Sequence, residues 1–380
     1  MSRKLSINEL QAPFEVKEVK VDGIQKYDSD NAYPTRMERL IDASVTAKAS
    51  AAMLTRFLIG QGFVNPELNN VIVGKDRFGR DVTLYAHLGQ IARSISYYHG
   101  FYTRLQYNGD MKVTGLKVEK FKDCRFGRLD SQDYAGKVVI YNNWDKERAG
   151  QIYKAKWNPV DVYNTSPEAI EAQIEAAVGF SKWKGHVFFW FNDDGYLYPA
   201  SPVDPVLYDA DTEKQISLFK NGELRRGFFL KYIIHHTAFD NSEDADEFKD
   251  AIKKLTGGGH EYASIVLEGE FDENGVLKDG PNIKVEKIEQ NINDKLFEAY
   301  ESSCINNIRK AFYAIPQILI DYEDGKLGTT SGEALRQAVD FYNAQTGDLR
   351  KNISQSIAQI FKSWVDDYSG ESFEIQKLVL

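Results

Sequence analysis

From Ile288 onward, apolar residues return every three or four positions, through Ile292, Leu296, Ala299, Tyr300, Ile305, Ile308 and Phe312. That spacing predicts a helix with one buried face. The run ends at Ile315-Pro316, because proline has no N–H to donate and disfavours helical geometry in the residue before it. A polar loop follows, from Asp321 to Thr330, and then a second periodic run opens at Ser331. Leu335, Ala338, Val339, Tyr342, Thr346, Leu349, Ile353, Ile357, Ile360, Phe361 and Trp364 keep one face, interrupted only by Gly347. As one helix they would span roughly 50 Å. A face of that length has to lie on something, a demand that one copy of the chain need not meet alone.

Upstream, the patterns are shorter and mixed. Residues 1–33 read as an arm or edge strand. Met37, Leu40, Ile41, Val45, Ala51, Leu54 and Leu58 predict one amphipathic helix, opened after Pro34 and closed at Gly60-Gln61-Gly62. A second helix is expected over Leu88 to Tyr102. Tyr107-Asn108-Gly109-Asp110 then signals a hairpin. From Lys112 to Tyr141 the period falls to two, predicting a small antiparallel sheet on the two helices. A short helix at Pro167 to Val178 and a buried strand at His186 to Phe191 complete an α+β lobe, to which the long C-terminal helix is expected to return. Tyr198-Pro199-Ala200-Ser201-Pro202 leads into a helix through Val206, Leu207, Ala210, Ile216 and Phe219 that should close at Asn221-Gly222. Beyond it, strands at Phe228 to Ile234, Tyr262 to Leu267 and Asn282 to Lys287, with a capped helix at Ser242 to Leu255, form an α/β insertion. Its entry and exit helices must be neighbours if they run side by side.

At 380 residues, 42% hydrophobic and 13% aromatic, the chain exceeds what one core usually serves and is a folded protein of two or three lobes. The N-terminus has no apolar signal region and no long apolar run occurs, so a soluble, intracellular protein with no membrane partner is expected. Cys124 and Cys304 fit a reducing compartment as two separate buried thiols. With 47 Lys and Arg against 56 Asp and Glu, the chain lacks the basic excess of a protein that grips duplex DNA.

Familiar catalytic patterns are missing. Leu255-Thr256-Gly257-Gly258-Gly259-His260 is glycine-rich without the Lys-Ser/Thr of a phosphate loop, and a strand rather than a helix should follow it. His235 and His236, adjacent on a strand, point to opposite faces and do not make a joint metal site. Asp193-Asp194-Gly195 and Asp272-Glu273-Asn274-Gly275 are explained by turn chemistry. No catalytic residue, metal site or cofactor is expected. Trp144, Trp157, Trp183 and Trp190 are read as core. The basic pairs Arg225-Arg226 and Lys253-Lys254 read as a solvated face, with contact to an acidic partner or a phosphate backbone as the sharper reading.

The order of these elements resembles the portal protein of tailed bacteriophages and prophages, of the long-tailed-phage type. The likeness is carried by Tyr198-Pro199-Ala200-Ser201-Pro202 with the later Phe219-Lys220-Asn221-Gly222, and by Ile308-Arg309-Lys310-Ala311-Phe312-Tyr313-Ala314-Ile315-Pro316-Gln317-Ile318-Leu319. Thr330-Ser331-Gly332-Glu333-Ala334 opening a helix with Phe341-Tyr342 and Thr346 adds to it, as do the helix around Ile91 and Phe121-Lys122-Asp123-Cys124-Arg125. Together they cover about residues 37–364.

This resemblance implies a ring of about twelve copies at one capsid vertex, assembled in the host cytoplasm, through which double-stranded DNA is packaged and ejected. It implies a wing (1–198, with the long helix 331–366), stem helices (199–222 and 288–315) and an α/β clip (223–287). A tunnel-loop region (316–330) and a short crown remnant (367–380) complete the division. The tunnel loop would present Asp321, Tyr322, Glu323, Asp324, Lys326 and Thr329 to the DNA. The clip, with Arg225, Arg226, Lys253 and Lys254, would face the large terminase and later the head-to-tail adaptor, while the major capsid protein surrounds the ring. Another head-to-tail connector is one alternative; a nucleotide-dependent hydrolase using Gly257 to His260 is the other.

Overall fold

The computed structural model describes residues 23–144, 156–192, 197–226, 231–237, 246, 264–269, 273, 283–288, 294–321 and 331–379. Contacts divide the chain into two units, Met1–Thr212 with Ser303–Leu380, and Glu213–Ser302. The fold is mixed α+β, as expected.

In the first unit, α1 (Tyr33–Ala43) and α2 (Val45–Ile59) replace the single helix expected over 37–58. Ser44 separates them: its backbone is extended and its hydroxyl accepts from Ala47 N, capping α2. The small hairpin β1 (Ile72–Lys75) and β2 (Asp81–Thr83) leads into α3 (Leu84–Tyr98). That helix stops earlier than the periodicity suggested, because His99 turns left-handed (φ 56°) and β3 (Gly100–Tyr107) begins at once. Gly100 permits this close turn, since a Cβ there would meet the Phe191 ring at 2.6 Å.

The Asn-Gly hairpin is present between β3 and β4 (Val113–Glu119). Strands β5 (Cys124–Phe126), β6 (Lys137–Ile140), β7 (Asn158–Val162) and β8 (His186–Phe191) extend it into one six-stranded sheet, ordered β4-β3-β8-β7-β6-β5. The sheet is larger than expected and mixed rather than antiparallel, because β7 pairs parallel with β8 across the connection that carries α4 (Pro167–Ala176).

The predicted 50 Å helix is two helices, α7 (Ser331–Gln345) and α8 (Gly347–Phe361). The Thr346 hydroxyl donates back to Tyr342 O at 2.8 Å and accepts from Arg350 at 2.7 Å. Arg350 also donates to Asn343 O and to Phe57 O. One buried guanidinium thus collects a carbonyl freed near the end of α7, the break itself, and α2. Ile353, Ile357 and Ile360 sit wholly within the same core as Leu54 and Leu58, so the C-terminal helices do return to the N-terminal lobe. After Trp364 the chain pairs back on the α2 exit: Val64 N donates to Glu374 O and Gln376 N to Gly62 O.

In the second unit, β9 (Lys231–Thr237) lies between β10 (Ser264–Gly269), parallel to it, and β11 (Ile283–Ile288), antiparallel. Ile288 closes a strand rather than opening a helix; helix α6 begins at Asp294 and runs to Ala311. Helix α5 (Leu207–Arg226) passes through Asn221-Gly222 instead of ending there. A glycine inside a helix costs only about 1 kcal/mol and is no stop signal by itself. The helix expected at 242–255 and the turns at 193–195 and 272–275 fall almost wholly outside the described residues.

Two histidines make the first unit acid-sensitive. His87 is fully buried, and His186 is held by Tyr107 Oη at 2.7 Å and Gln173 at 2.8 Å. Burial lowers each pKa to about 4. Because the unfolded chain protonates near 6.5, it binds more protons between those values, so stability falls as pH drops from about 6.5 to 4. Thermal unfolding followed across that window should show a falling Tm, and His87→Leu should flatten part of the slope; an unchanged slope would refute the role of His87.

Candidate channel wall and its anchors

Asp321 is exposed and ends the described segment before the loop. Tyr322, Glu323, Asp324, Lys326 and Thr329 lie outside the described residues, as do Lys253 and Lys254. Arg225 and Arg226 form the last residues of α5. The two basic pairs are therefore not brought together in what is described.

What the structure does define is how the chain runs from α6 to Asp321 and what holds it there. Helix α6 ends in a left-handed wrap, with Tyr313 at φ 63° and Ala314 at φ 53°. Ala314 N donates to Lys310 O and Ile315 N to Arg309 O, each at 3.1 Å. This closes the helix C-terminus in the Schellman manner, with Pro316 just beyond as the stop. Non-glycine residues pay sterically for such φ values. Around the turn, Tyr342 Oη on α7 donates to Phe312 O at 2.9 Å, and Tyr313 Oη lies 3.2 Å from His99 Nε2. A turn of 3-10 helix at Gln317–Leu319 then packs on α7 and leads to Asp321. Replacing Ala314 by glycine should relieve strain and raise the stability of the first unit by roughly 0.5–1 kcal/mol, net of the unfolded-chain entropy; denaturant titration would detect it, and a loss of stability would contradict the account.

The other anchor is the Tyr198-Pro199-Ala200-Ser201-Pro202 segment ahead of α5. Tyr27 Oη donates to Pro199 O, Ser201 N donates to Tyr33 Oη at 3.0 Å, and Ser201 Oγ donates to Tyr97 O at 2.6 Å. Tyr33 reaches on to Asp204 at 3.0 Å, and Tyr198 Oη bridges Gln25 O and Phe126 N. Burial, with Asp204 a secondary cause, pushes the Tyr33 phenol well above its ordinary pKa. Tyr33 therefore stays a neutral donor. Beneath this cage, Arg125 is wholly buried and donates to Asn31 Oδ1, Asn31 O, Lys122 O and Cys124 O at 2.5–2.9 Å, with its guanidinium against Tyr27 and Trp144.

Between the anchors, α5 and α6 meet where Asn307 donates to Asp209 at 3.2 Å. Within the second unit, Lys220 on α5 pairs with Glu301 on α6 at 2.6 Å. The entry and exit helices of the α/β insertion are side by side. Trp144, Trp157 and Trp183 are buried, whereas Trp190 is half-buried; Cys124 and Cys304 are free buried thiols. Arg125, Arg350, Tyr342 and Tyr313 had no individual role assigned from the sequence, since isolated polar residues in apolar runs do not announce which carbonyls they will meet.

No protein-family profile matches the sequence, and no curated protein matches it either. Solved structures do. A chain of the virion of a native gene transfer agent (GTA) particle superposes with a TM-score of 0.54 at 11% identity, covering 91% of this chain and 83% of that one. A chain from the neck of an empty GTA particle, computed with C6 symmetry, gives 0.51 at 10% identity over 87% and 81%. An HK97-family phage portal protein from Corynebacterium diphtheriae aligns at 0.44, with 9% identity, over 80% and 87%; the fold assignment rests on the first two. The chain has the α+β fold of a chain found in the gene transfer agent virion and its neck.

Proposed function

We propose that this protein is a portal-type head-to-tail connector, a ring-forming component of a virion or virion-like particle whose central channel passes double-stranded DNA. The carrying observation is the shared fold over 91% of the chain with a GTA virion chain. The ordered motifs from Ser201-Pro202 to Phe341-Tyr342, which resemble the portal family, support it. On this reading the first unit supplies the wing, α5 and α6 the stem, and the β9–β11 unit the clip that meets terminase and adaptor. Residues 322–330 are the tunnel loop. Gly257 to His260 lacks the Lys-Ser/Thr of a phosphate loop, which favours a mechanical role over hydrolysis there.

A ring that closes by rotation buries different faces of each copy against one another. Light scattering of the purified chain should therefore give the mass of a closed oligomer of about twelve copies, and negative-stain images should show rings with a central hole. A stable monomer at high concentration would overturn the proposal.

A further inference from the structure

We propose that the extended segment 373–377 takes one more strand along its open edge, supplied by residues 1–22 of a neighbouring copy of this chain. The inference rests on the ring reading above and names one joint within it. The segment pairs antiparallel with the α2 exit: Gln376 N donates to Gly62 O at 2.8 Å, Val64 N to Glu374 O at 2.9 Å and Gln61 N to Gln376 O at 3.0 Å. Inside that frame Phe63 and Ile375 face each other as a non-hydrogen-bonded pair, so the N–H and C=O of Ile375 point to the opposite edge. Neither has a hydrogen-bond partner among the described residues.

Beside that edge lies a groove of about 810 Å³, bordered on its other side by Gly347, Lys351, Ser354 and Ala358 of α8. Steps of four, three and four positions make these residues one stripe along the helix, and the glycine, serine and alanine leave room for a backbone to come close. An open strand edge over such a stripe is the geometry of strand addition, in which main-chain hydrogen bonds supply the affinity. The edge is also held in place. Leu378 O accepts from Asn343 Nδ2 at 2.8 Å, Lys377 pairs with Asp340 at 3.6 Å, and Phe373 and Ile375 belong to the core.

Residues 1–22 lie outside the described residues, but their sequence alternates apolar with polar side chains twice, at Leu5-Ser6-Ile7-Asn8 and at Phe14-Glu15-Val16-Lys17, the pattern of a strand with one covered face. The described chain begins beside β5, where Ile24 bridges Gly127, whereas α8 ends beside β4, where Trp364 bridges Val113. These are the two outer strands of the six-stranded sheet, roughly 24 Å apart at about 4.8 Å per strand. Twenty-two extended residues reach about 75 Å at most. The arm thus starts at one edge of the sheet and the helix that borders the groove ends at the other. A head-to-tail ring sets such unlike faces of neighbours together.

Two measurements test the joint. In assembled rings, Ser354→Cys is combined with Ile7→Cys or with Val16→Cys, oxidised, and run on a denaturing gel without reductant; a ladder of linked chains is expected from at least one pair. Disulfides confined to single chains would put the arm on its own copy and overturn the inference, as would rings in which neither pair links. In the second measurement, the chain lacking residues 2–22 should need at least roughly tenfold more protein to form rings, and should bind a fluorescent peptide of residues 2–22 in anisotropy titrations. Adding Ser354→Trp, which fills the groove, should abolish that binding at unchanged Tm. Normal assembly without the arm would leave the groove to a different partner, and peptide binding that ignores Ser354→Trp would place the arm elsewhere; either overturns the inference. Peptide binding at the groove by a chain whose full-length form never makes rings would defeat the ring reading alone, so the two failures are told apart.

Discussion

Arg125→Met lowers the stability of the first unit by about 3–5 kcal/mol, enough to leave much of the protein insoluble on expression at 37 °C. Methionine fills a similar volume and removes a buried charge, and such exchanges are often harmless where an ion pair is replaced whole. Here the partners are Asn31 Oδ1 and the carbonyls of Asn31, Lys122 and Cys124. In the variant Asn31 Oδ1 keeps the Tyr27 N–H, but the buried carbonyls of Asn31 and Cys124 and the half-buried one of Lys122 lose this donor. Each such buried orphan costs about 1–3 kcal/mol. Burial lowers the pKa of Arg125, and its surroundings hold it as a cation through neutral oxygens and the faces of Tyr27 and Trp144. Arg125→Lys should recover little, because one ammonium cannot span the same directions. Denaturant unfolding of the soluble fraction provides the measurement. A loss below about 1 kcal/mol would mean that water or a relaxed loop replaces the guanidinium, and the cage would then not depend on it.

That cage also explains why some of this protein was legible in its sequence and some was not. Pro167 and Asn108-Gly109 mark α4 and the β3–β4 hairpin, and β8 is legible as an unbroken apolar run that is buried on both faces. Periodicity overran α3 into Tyr102 because Tyr98 and Tyr102 satisfy helical spacing, while the residue that ends the helix, His99, does so through a left-handed φ that its side chain does not advertise. The same limit applied at Ser44 and Thr346. Both lie on a continuing apolar face, and both break their helix by backbone conformation and hydroxyl bonding. Gly222 misleads the other way, since asparagine-glycine is ordinary stop punctuation and α5 nevertheless continues to Arg226.

The anchors of the candidate wall were half legible. Pro316 marks the end of α6, and the small-residue Ser201-Pro202 segment marks the entry to α5. The tyrosines that lock the second, Tyr27, Tyr33 and Tyr97, lie 104 to 172 residues away in sequence from the segment residues they bind. No local pattern connects such partners.

Replacing residues 321–330 by a short Gly-Ser linker leaves assembly intact and sharply reduces packaged or retained DNA. The prediction rests on the proposed channel role and on two facts of the described structure. Asp321 is exposed at the end of the segment that leads into this stretch. The contacts that fix its base, from Tyr342 to Phe312 O and from Tyr313 to His99, lie outside the replaced residues, so the wall should fold without them. A conduit for DNA must pass the polymer without holding it, and each phosphate neutralised by a bound cation would add affinity and slow movement. Asp321, Glu323 and Asp324 set three negative charges against Lys326 in each copy, which in a ring gives a net repulsive collar, strongest where the channel is narrow and screened beyond about 10 Å at moderate salt. Neutralising the acids alone, as Asp321→Asn, Glu323→Gln and Asp324→Asn, separates charge from length. The triple variant should form normal rings and bind DNA with a steeper salt dependence than wild type, while the linker variant loses retention whatever the salt. Filter binding across a salt series, beside negative-stain imaging, reads both effects. Rings that fail to form in the linker variant would make the segment a structural part of the wall, and a triple variant indistinguishable from wild type would remove the acidic collar from the account.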